Sequence, residues 1–395
     1  MSDKITKSPQ IRFAGFTDAW EQRKLGNISE KVTEKNKNNI YSETLTNSAE
    51  FGIINQREFF EKDISNEKNL DGYYVVRPDD FVYNPRISNL APVGPIKRNK
   101  LGRTGVMSPL YYVFRTQNVD KTFLEKYFSS TRWHIFMKLN GDSGARSDRF
   151  AIKDSIFREM PIPFPSIREQ TKIGNFFDQI DHLITLHQRK LNNLKNLKAG
   201  LLQKMFPKNG EDFPEIRFAG FTDSWEQSTV SELADRYDNL RVPITASDRV
   251  AGSTPYYGAN GIQDYVEGFT HDGEFILVAE DGASDLQNYP VQYVNGKVWV
   301  NNHAHVLQAK SEIADNKFLM NALKHTNIAP YLVGGGRAKL NADVMMKISL
   351  RVPELAEQKQ IGSFFANLDN LITLHQRELN SLDNIKKLLL QQMFI

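Results

Sequence analysis

The stretch that decides the fold is IGNFF at residues 173–177, followed by LITLHQR at residues 183–189. It returns with the same spacing as IGSFF at residues 361–365 and LITLHQR at residues 371–377. In both copies the apolar residues recur at intervals of three and four, which is typical of an amphipathic helix. The sequence therefore predicts two equivalent helices, one near the middle of the chain and one at its C-terminal end.

Outside these helices a second segment is also duplicated. IRFAGFTDAWEQ at residues 11–22 returns as IRFAGFTDSWEQ at residues 216–227. Two copies of a unit this long do not have the short period of a solenoid repeat. The intervening sequences differ between the halves, so the chain is a duplicated frame that carries one divergent module in each half.

The central helix has a clear start and stop. Ser166 and Glu169 form a capping-box pattern directly after the proline-rich residues 161–165, and Phe206-Pro207 ends the helical pattern. We therefore expect helices over residues 166–206 and 354–395. About 40 residues at about 1.5 Å each give a rod of roughly 60 Å.

A heptad pattern predicts that the two helices pair as an antiparallel coiled coil. In both helices polar residues interrupt the apolar seam near its middle. One register sets His187 against Glu378 and His375 against Lys190. A polar layer of this kind fixes helix alignment at some cost in stability. The alternative is that these side chains only extend into solvent.

A further apolar stripe follows the heptad position e on both helices. A two-stranded seam does not need this stripe, so additional helices are expected to dock there, from the chain's own domains or from a partner subunit. The predicted docking residues are Phe177, Ile184, Leu191, Met205, Phe365, Ile372, Leu379 and Met393.

Residues 1–165 and 207–353 contain short strand-like runs broken by Gly, Pro, Asn and Asp, which predicts two compact α+β domains. In the first domain basic residues concentrate in the run KRNKLGR and in two flanking sites, as expected for contacts with DNA phosphates or guanine edges. The alternative is a solvated charge run. The predicted DNA-binding residues are Arg86, Lys97, Arg98, Lys100, Arg103, Arg146 and Arg149.

The second domain has loops rich in amide, aromatic and small residues, which suit the reading of base edges. The basic loop at residues 334–339 is a candidate for phosphate contacts, and Arg337 occupies the position equivalent to Arg149. The predicted residues are Tyr257, Asn260, Asp281, Asn301, Asn302, His303, Arg337 and Lys339.

Catalytic interpretations find little support in the sequence. Asn84-Pro85-Arg86 lacks the second proline and the aromatic residue of adenine methyltransferases, and no glycine-rich cofactor loop follows a strand. His303 and His305 have no third ligand at a recognisable spacing, so no metal site is expected. The loop at residues 334–337 lacks the Gly-Lys-Ser/Thr ending of a nucleotide-binding loop.

Length and composition limit the number of domains and the kinds of site that the chain can have. The chain has 395 residues, enough for at least two domains, and no cysteine, which excludes disulfides and thiolate metal sites. A formal net charge of +3 is too small to indicate a nucleic-acid partner by itself. No apolar signal core or membrane-span pattern is seen, and a cytoplasmic location is expected.

Taken together, the duplicated segments resemble the specificity subunit of type I restriction-modification systems. The resemblance covers essentially the whole chain. It rests on the repeated IRFAGFTD segment, the proline-containing approaches to Glu169-Gln170 and Glu357-Gln358, and the twin helices ending in QKMF at residues 203–206 and QQMF at residues 391–394. YYGANG at 256–261 and VNNHAH at 300–305 are similar to one class of target-recognition domain.

The resemblance implies that this chain is not an enzyme and that each module reads one half of a bipartite target in double-stranded DNA. It also implies two methyltransferase (modification) subunits docked on the helices, with ATP-dependent restriction/translocase subunits completing the complex. Those partners would carry S-adenosylmethionine, ATP and Mg, and this chain would bind no cofactor. Two other classes remain open: an interaction scaffold that does not bind DNA, and a stand-alone modification enzyme.

Overall fold

The computed structural model divides the chain into two compact units. The first is formed by Met1–His187 together with Glu378–Ile395, and the second by Gln188–Arg377. The structure describes residues 8–59, 70–142, 148–208, 210–334 and 338–395.

The first unit is an α+β domain built from short strands and helices. Its strands are β1 (Glu21–Lys24), β2 (Ser29–Lys31), β3 (Leu45–Ser48), β4 (Gly52–Asn55), β5 (Tyr74–Val76), β6 (Phe81–Tyr83), β7 (Ile96–Arg98), β8 (Gly105–Met107), β9 (Tyr112–Thr116) and β10 (Pro161–Phe164). Its short helices are α1 (Leu25–Ile28), α2 (Gln56–Phe59), α3 (Lys121–Ser129), α4 (Arg132–Asn140) and α5 (Asp154–Phe157). Four strands form an antiparallel sheet in the order β2-β9-β6-β7, and the others pair as β3-β4, β5-β8 and β1-β10.

An aromatic core holds this unit together. Phe81 and Phe114 stack in the four-stranded sheet with their ring centroids 5.5 Å apart, and Phe128 of α3 packs on both. The same buried cluster continues to Phe177 and Phe394, whose rings stack at 6.1 Å. The domain and the helix ends in this unit therefore share one core.

The long helix α6 (Ile167–Lys204) runs from the first unit into the second. Its predicted start is confirmed in part, because Ser166 Oγ accepts a hydrogen bond from the Glu169 amide at 3.3 Å. The Glu169 carboxylate does not complete the capping box. It forms two hydrogen bonds, each 2.8 Å, with the guanidinium group of Arg12 in the duplicated segment.

The second unit is built around a larger sheet. Its strands are β11 (Glu226–Thr229), β12 (Ala234–Arg236), β13 (Ala251–Gly258), β14 (Gly261–Val266), β15 (His271–Ala279), β16 (Val291–Val300), β17 (Ala304–Ala309), β18 (Leu332–Val333), β19 (Lys339–Leu340) and β20 (Ser349–Val352). Its helices are α7 (Val230–Leu233), α8 (Asn316–His325) and α9 (Ala342–Met345), and α10 (Leu355–Gln392) follows. Six strands form one sheet in the order β12-β17-β15-β16-β13-β14, in which β13 and β16 are parallel.

Within each unit, α6 and α10 pair in antiparallel fashion, as the sequence predicted. In the first unit Asp181 Oδ1 lies 2.6 Å from Lys386 Nζ. In the second unit Lys198 Nζ lies 2.5 Å from Asp369 Oδ1. The repeat relates these two ion pairs, since Asp181 corresponds to Asp369 and Lys198 to Lys386. The predicted α+β fold with paired long helices is therefore confirmed.

The duplicated segments serve the same purpose in both units. Arg217 forms a bidentate ion pair with Glu357, at 2.8 and 2.7 Å, which repeats the pair between Arg12 and Glu169. Both carboxylates are buried, with 0% and 1% of the side chain exposed. A buried charge is tolerated only when its partner and hydrogen bonds are in place. Each segment is thus fastened to the start of a long helix.

The adjacent glutamines attach the domain helices to the long helices. Gln170 Oε1 accepts from the Asp120 amide at 2.9 Å, and Gln358 Oε1 accepts from the Asp315 amide at 3.2 Å. Asp120 and Asp315 are the N-caps of α3 and α8. A Cβ atom at Gly362 would clash with Asp315 Oδ1, so glycine is required where α8 approaches α10.

The apolar stripe at position e requires a correction. Six of its residues are buried, and Ile184 and Ile372 are partly buried: the buried six are Phe177, Leu191, Met205, Phe365, Leu379 and Met393. The aromatic core of the first unit covers Phe177, and Phe206 packs on Phe365 in the second. Buried side chains are not available to a partner. The chain's own cores account for Phe177, Met205, Phe365 and Met393.

Other apolar side chains of the helices are exposed instead. In the first unit Leu183 and Leu186 are each 45% exposed, and in the second unit Leu371 and Leu374 are 44% and 49% exposed. The repeat relates these two leucine pairs. Among the described residues no helix is both long and apolar enough to span a membrane.

Candidate nucleic-acid interface

In the first unit, carboxylates of the same unit hold much of the predicted basic run. Arg98 and Lys100 lie 2.6 and 3.3 Å from the carboxylate of Glu125. Arg103 forms two hydrogen bonds of 2.8 Å with Glu43, and this pairing raises the pKa of Arg103. Contact of these three cations with DNA stays a prediction.

Arg86 and Arg149 are less tightly engaged. Their side-chain nitrogens approach Asp148 at only 3.9 and 4.0 Å, at the limit of an ion pair. The backbones of the two arginines form an antiparallel bridge, which fixes them side by side. Lys97 is half-buried, and burial lowers the pKa of its ammonium group. Arg86 and Arg149 are therefore the strongest candidates for a phosphate contact in this unit.

These two arginines line a cavity of about 640 Å³. It lies between the β3-β4 hairpin, the loop after β6 and the turn before β9. Its lining includes Asn47, Gln56, Phe59 and Tyr111, none of which was among the predicted site residues. Sequence reasoning missed them because they come from separate segments and form no local motif.

In the second unit the structure brings most of the predicted residues together at one end of the six-stranded sheet. Asn260, in the turn between β13 and β14, donates to Gly282 O at 2.9 Å and accepts from the Ser284 amide at 2.8 Å. His303 Nδ1 lies 2.5 Å from Asp281 Oδ1. These turns meet because β15 pairs with β17 up to Ala279 and Ala304.

The turn before β17 completes this surface. The Asn301 amide donates to Tyr257 O at 3.1 Å, and Asn301 Oδ1 accepts from the His303 amide at 2.8 Å. Asn301 is buried, so it shapes the turn, whereas Asn302 is exposed. Burial raises the pKa of the Tyr257 hydroxyl. The sheet-end surface thus presents amide, imidazole and carboxylate groups.

An ionic network centred on Glu280 adjoins this surface. Glu280 lies between Arg241 Nη1 at 2.7 Å and Lys339 Nζ at 2.9 Å. Burial raises the pKa of Glu280, but hydrogen bonds from the two cations outweigh it and the net shift is downward. His305 Nδ1 lies 2.7 Å from Asp238, and its Nε2 contacts Leu340 O. Asp238, Glu280 and His305 stand close enough together to hold an ion, but the two cations already compensate the carboxylates.

The proposed polar layer is found in part. In the first unit His187 Nδ1 lies 3.2 Å from Glu378 Oε2, as the antiparallel register predicted. In the second unit His375 is buried whereas Lys190 is exposed. A role of these residues in fixing helix alignment stays a prediction. Two predicted DNA-binding residues, Arg146 and Arg337, lie outside the residues that the structure describes.

The two α+β units share a duplicated helical frame, but the polar cavity of the first differs from the polar sheet end of the second. The family model of the type I restriction modification DNA specificity domain matches residues 17–196 and 222–384. Because these ranges cover most of the sequence, the chain belongs to this family. The two matched ranges also correspond to the two halves of the repeat.

Individual relatives agree with this assignment. A putative type I restriction enzyme specificity subunit of Haemophilus influenzae is 44% identical over 154 residues, which are 39% of each chain. The match thus spans well under half of that relative's length. The MjaVIII specificity subunit of Methanocaldococcus jannaschii is 22% identical over 320 residues, 73% of each chain.

Solved structures share the fold. The S subunit of a type I restriction-modification system from M. genitalium superimposes with a TM-score of 0.65 at 15% identity, over 98% of this chain and 99% of that one. A chain from a study of type I restriction-modification complex assembly gives a TM-score of 0.52 at 13% identity, over 95% and 97%. At these identities the likeness shows the architecture alone.

Proposed function

We propose that this chain is the DNA-recognition subunit of a type I restriction-modification complex, in which each unit reads one half of a bipartite target. One observation carries the proposal: the frame contacts of Arg12 and Arg217 are repeated, whereas the recognition surfaces of the two units are unlike. A frame held constant around divergent surfaces suits an asymmetric target. Family membership supports DNA as the ligand.

The test is methylation profiling of a host that expresses the chain with its partner subunits. We expect modified sites with two half-site sequences separated by a fixed unread gap. A single undivided motif, or modification without sequence preference, would contradict the proposal. Binding that does not weaken as salt rises would instead favour a scaffold that does not bind DNA, because phosphate contacts release counterions.

We further propose that the paired helices set the gap. Both α6 and α10 have 38 residues, about 57 Å at about 1.5 Å per residue. A seven-residue insertion in α6 after Leu194, matched by seven residues in α10 after Leu371, adds about 10 Å, or roughly three base pairs at about 3.4 Å each. The expected motif keeps both half-sites and widens the gap. Altered half-sites with the old gap would oppose this role.

The methyltransferase subunits are proposed to dock on the exposed leucine pairs instead of the buried stripe. Leu183 and Leu186 are equivalent by the repeat to Leu371 and Leu374, which suits two copies of one partner. Leu183→Glu and Leu371→Glu are each expected to reduce the methyltransferase that co-purifies with the chain. Leu139→Glu, at an exposed leucine of α4, is the control. Full recovery of both partner copies with both variants would exclude this surface.

The catalytic chemistry is proposed to belong to the partners. S-adenosylmethionine is expected on the methyltransferase subunits, and ATP and Mg are expected on the ATP-dependent restriction/translocase subunits. Calorimetry of the isolated chain with S-adenosylmethionine tests this assignment. Saturable binding by the chain alone would favour a stand-alone modification enzyme.

A further inference from the structure

The turn between β16 and β17 presents two neighbouring side chains with polar atoms that the fold does not use. The Asn302 side chain is exposed, and its amide forms no hydrogen bond with any described residue. The His303 side chain is 37% exposed, and its Nδ1 faces Asp281. Its Nε2 is accessible at the surface and has no partner in the described part of the chain. Both residues can therefore offer hydrogen bonds to a ligand.

The neighbouring amides on the sheet-end surface are already engaged. Both amide atoms of Asn260 bond to the backbone, at Gly282 and Ser284. Asn301 is buried, and its Oδ1 accepts from the His303 amide. These two asparagines shape the loops, whereas the side chains that follow Asn301 point their free atoms outward.

The backbone of the turn is held in place on both sides. The Glu280 amide donates to His303 O at 2.8 Å, and Arg241 Nη1 donates to Ala304 O at 2.8 Å. Side chains on a fixed backbone lose less conformational freedom when they bind. The turn thus resembles a preformed contact surface.

The charges around the turn do not oppose DNA. The Asp281 carboxylate faces the His303 imidazole, and Glu280 is paired with Arg241 at 2.7 Å and with Lys339 at 2.9 Å. The Lys339 side chain is 46% exposed, so a cation adjoins the turn where a phosphate could approach.

The contact with Asp281 decides which hydrogen bond His303 can offer. Its Oδ1 lies 2.5 Å from His303 Nδ1, so Nδ1 carries a hydrogen and donates it to the carboxylate. In a neutral imidazole the other nitrogen, Nε2, is then an acceptor. In the major groove adenine and cytosine present an amino donor, whereas guanine and thymine present acceptors.

We infer that His303 Nε2 accepts a hydrogen bond from the exocyclic amino group of an adenine or cytosine in the half-site read by the second unit. The Asn302 amide, which can donate and accept, contacts the edge of an adjoining base. Asp281 is a positioning residue that fixes the ring and its hydrogen. The inference rests on the proposed function and adds the atom that reads a base and the bases that it accepts.

The experiment uses the chain assembled with its methyltransferase subunits and duplexes that carry the target sequence found by methylation profiling. Each adenine of the half-sites is replaced in turn by purine riboside, and each cytosine by 2-pyrimidinone, so that only the amino group is removed. Affinity is measured by fluorescence anisotropy. The wild-type complex is expected to lose affinity roughly tenfold at each amino group that it reads.

The variant His303→Asn removes Nε2 and keeps an amide N–H for Asp281. It is expected to bind the unmodified target roughly tenfold more weakly and to lose nothing further at one position of one half-site, because both changes remove the same bond. Losses at the other positions stay as in the wild type. His303→Gln, whose amide oxygen reaches the place of Nε2, is expected to keep the loss at that one position.

A second pair of variants tests Asn302. Asn302→Ala is expected to weaken binding of the unmodified target roughly tenfold. Asn295→Ala, at an exposed asparagine of β16 outside the sheet-end surface, is the matched control and is expected to bind as the wild type does. Equal affinities of these two variants would remove Asn302 from the inference.

The inference is wrong if His303→Asn keeps the wild-type loss at every position, because His303 then reads no amino group even if its replacement weakens binding. If circular dichroism shows that His303→Asn does not fold, His303→Gln decides, and the absence of any position-specific loss in it overturns the inference. In both cases the proposed function stands if the wild type distinguishes target from non-target duplex. If the wild type does not distinguish them, the proposed function fails as well.

Discussion

The ion pair between Arg217 and Glu357 offers a stringent test of how the frame is held together. The substitution Glu357→Gln keeps the size of the side chain and its capacity for one hydrogen bond, but removes the charge. Glu357 is fully buried and the Arg217 side chain is 14% exposed. The variant therefore leaves a desolvated guanidinium group without its counter-ion.

The expected cost follows from this burial. Removing one partner of a buried ion pair typically costs about 3–5 kcal/mol, and glutamine should lie near the lower end because it retains a hydrogen bond. For a unit of this size, 1 kcal/mol corresponds to a shift of about 2–4 °C in Tm. We expect the second unit of Glu357→Gln to melt roughly 6–12 °C below the wild type.

Differential scanning calorimetry gives the shift, and hydrogen exchange of the α10 amides of residues 355–377 assigns it to the second unit. The double variant Arg217→Met/Glu357→Gln removes both charges and is expected to recover at least half of the loss. Glu169→Gln is the internal counterpart, because it breaks the equivalent pair with Arg12 in the first unit. A Glu357→Gln chain within about 0.5 kcal/mol of wild type, a range typical of surface changes, would refute the reasoning.

Three further predictions follow from contacts described above. Gly362→Ala should destabilise the chain by about 1–3 kcal/mol in urea unfolding, and Gly174→Ala by less, because a Cβ at Gly174 meets its nearest atoms at 3.2 Å; equal costs would contradict this. Burial raises the pKa of Asp181, but hydrogen bonds from Lys126 and Lys386 outweigh burial, so the net pKa lies below its ordinary value of 3.8. The ionised carboxylate therefore stabilises the fold above that pH, and its contribution is lost as pH falls through the folded-state pKa. Asp181→Asn should unfold more easily in urea at pH 7 and match the wild type below that pKa; a deficit that persists in acid would disagree. Arg86→Ala should lower the slope of log affinity against log salt by about one, while Arg103→Ala, whose cation is paired with Glu43, should leave it unchanged; identical slopes would argue against this assignment.

The long helices were predictable because their signals are local and duplicated. The apolar spacing and the repeat lie within each helix, the capping serine marks the start of α6, and the observed bounds fall within three residues of the predicted ones. The antiparallel contact of His187 with Glu378 followed from heptad arithmetic alone. Periodicity inside a segment is a property that sequence reasoning handles well.

The partners of each helix face were not predictable in the same way. At position e, Phe177, Met205, Phe365 and Met393 are buried because the cores of the two units reach the long helices. The helix sequence records that a face is apolar but does not say which element covers it. The same limit applies to Glu169, because Arg12, which pairs with its carboxylate, lies 157 positions away in the sequence.

The two candidate interfaces differ in how far they could be predicted from the sequence. In the second unit the predicted residues lie in turns at one sheet end, so a correct β-type interpretation was enough to group them. In the first unit the basic run looked free because its counter-ions, Glu43 and Glu125, are remote in sequence. The cavity around Asn47 and Gln56 depends on five separated segments, and no sequence window contains it.

The two-stranded sheet at the base of each module affects how the modules can evolve. Strand β1 pairs with β10 through four residue pairs, and β11 pairs with β20 through four more. Each reading module therefore begins and ends at adjacent points on the frame. Recombination with breakpoints inside these paired strands would exchange a whole recognition module and preserve the strand pairing that attaches it to the long helices. New DNA specificities would then arise by gene shuffling, without renewed selection for a stable fold.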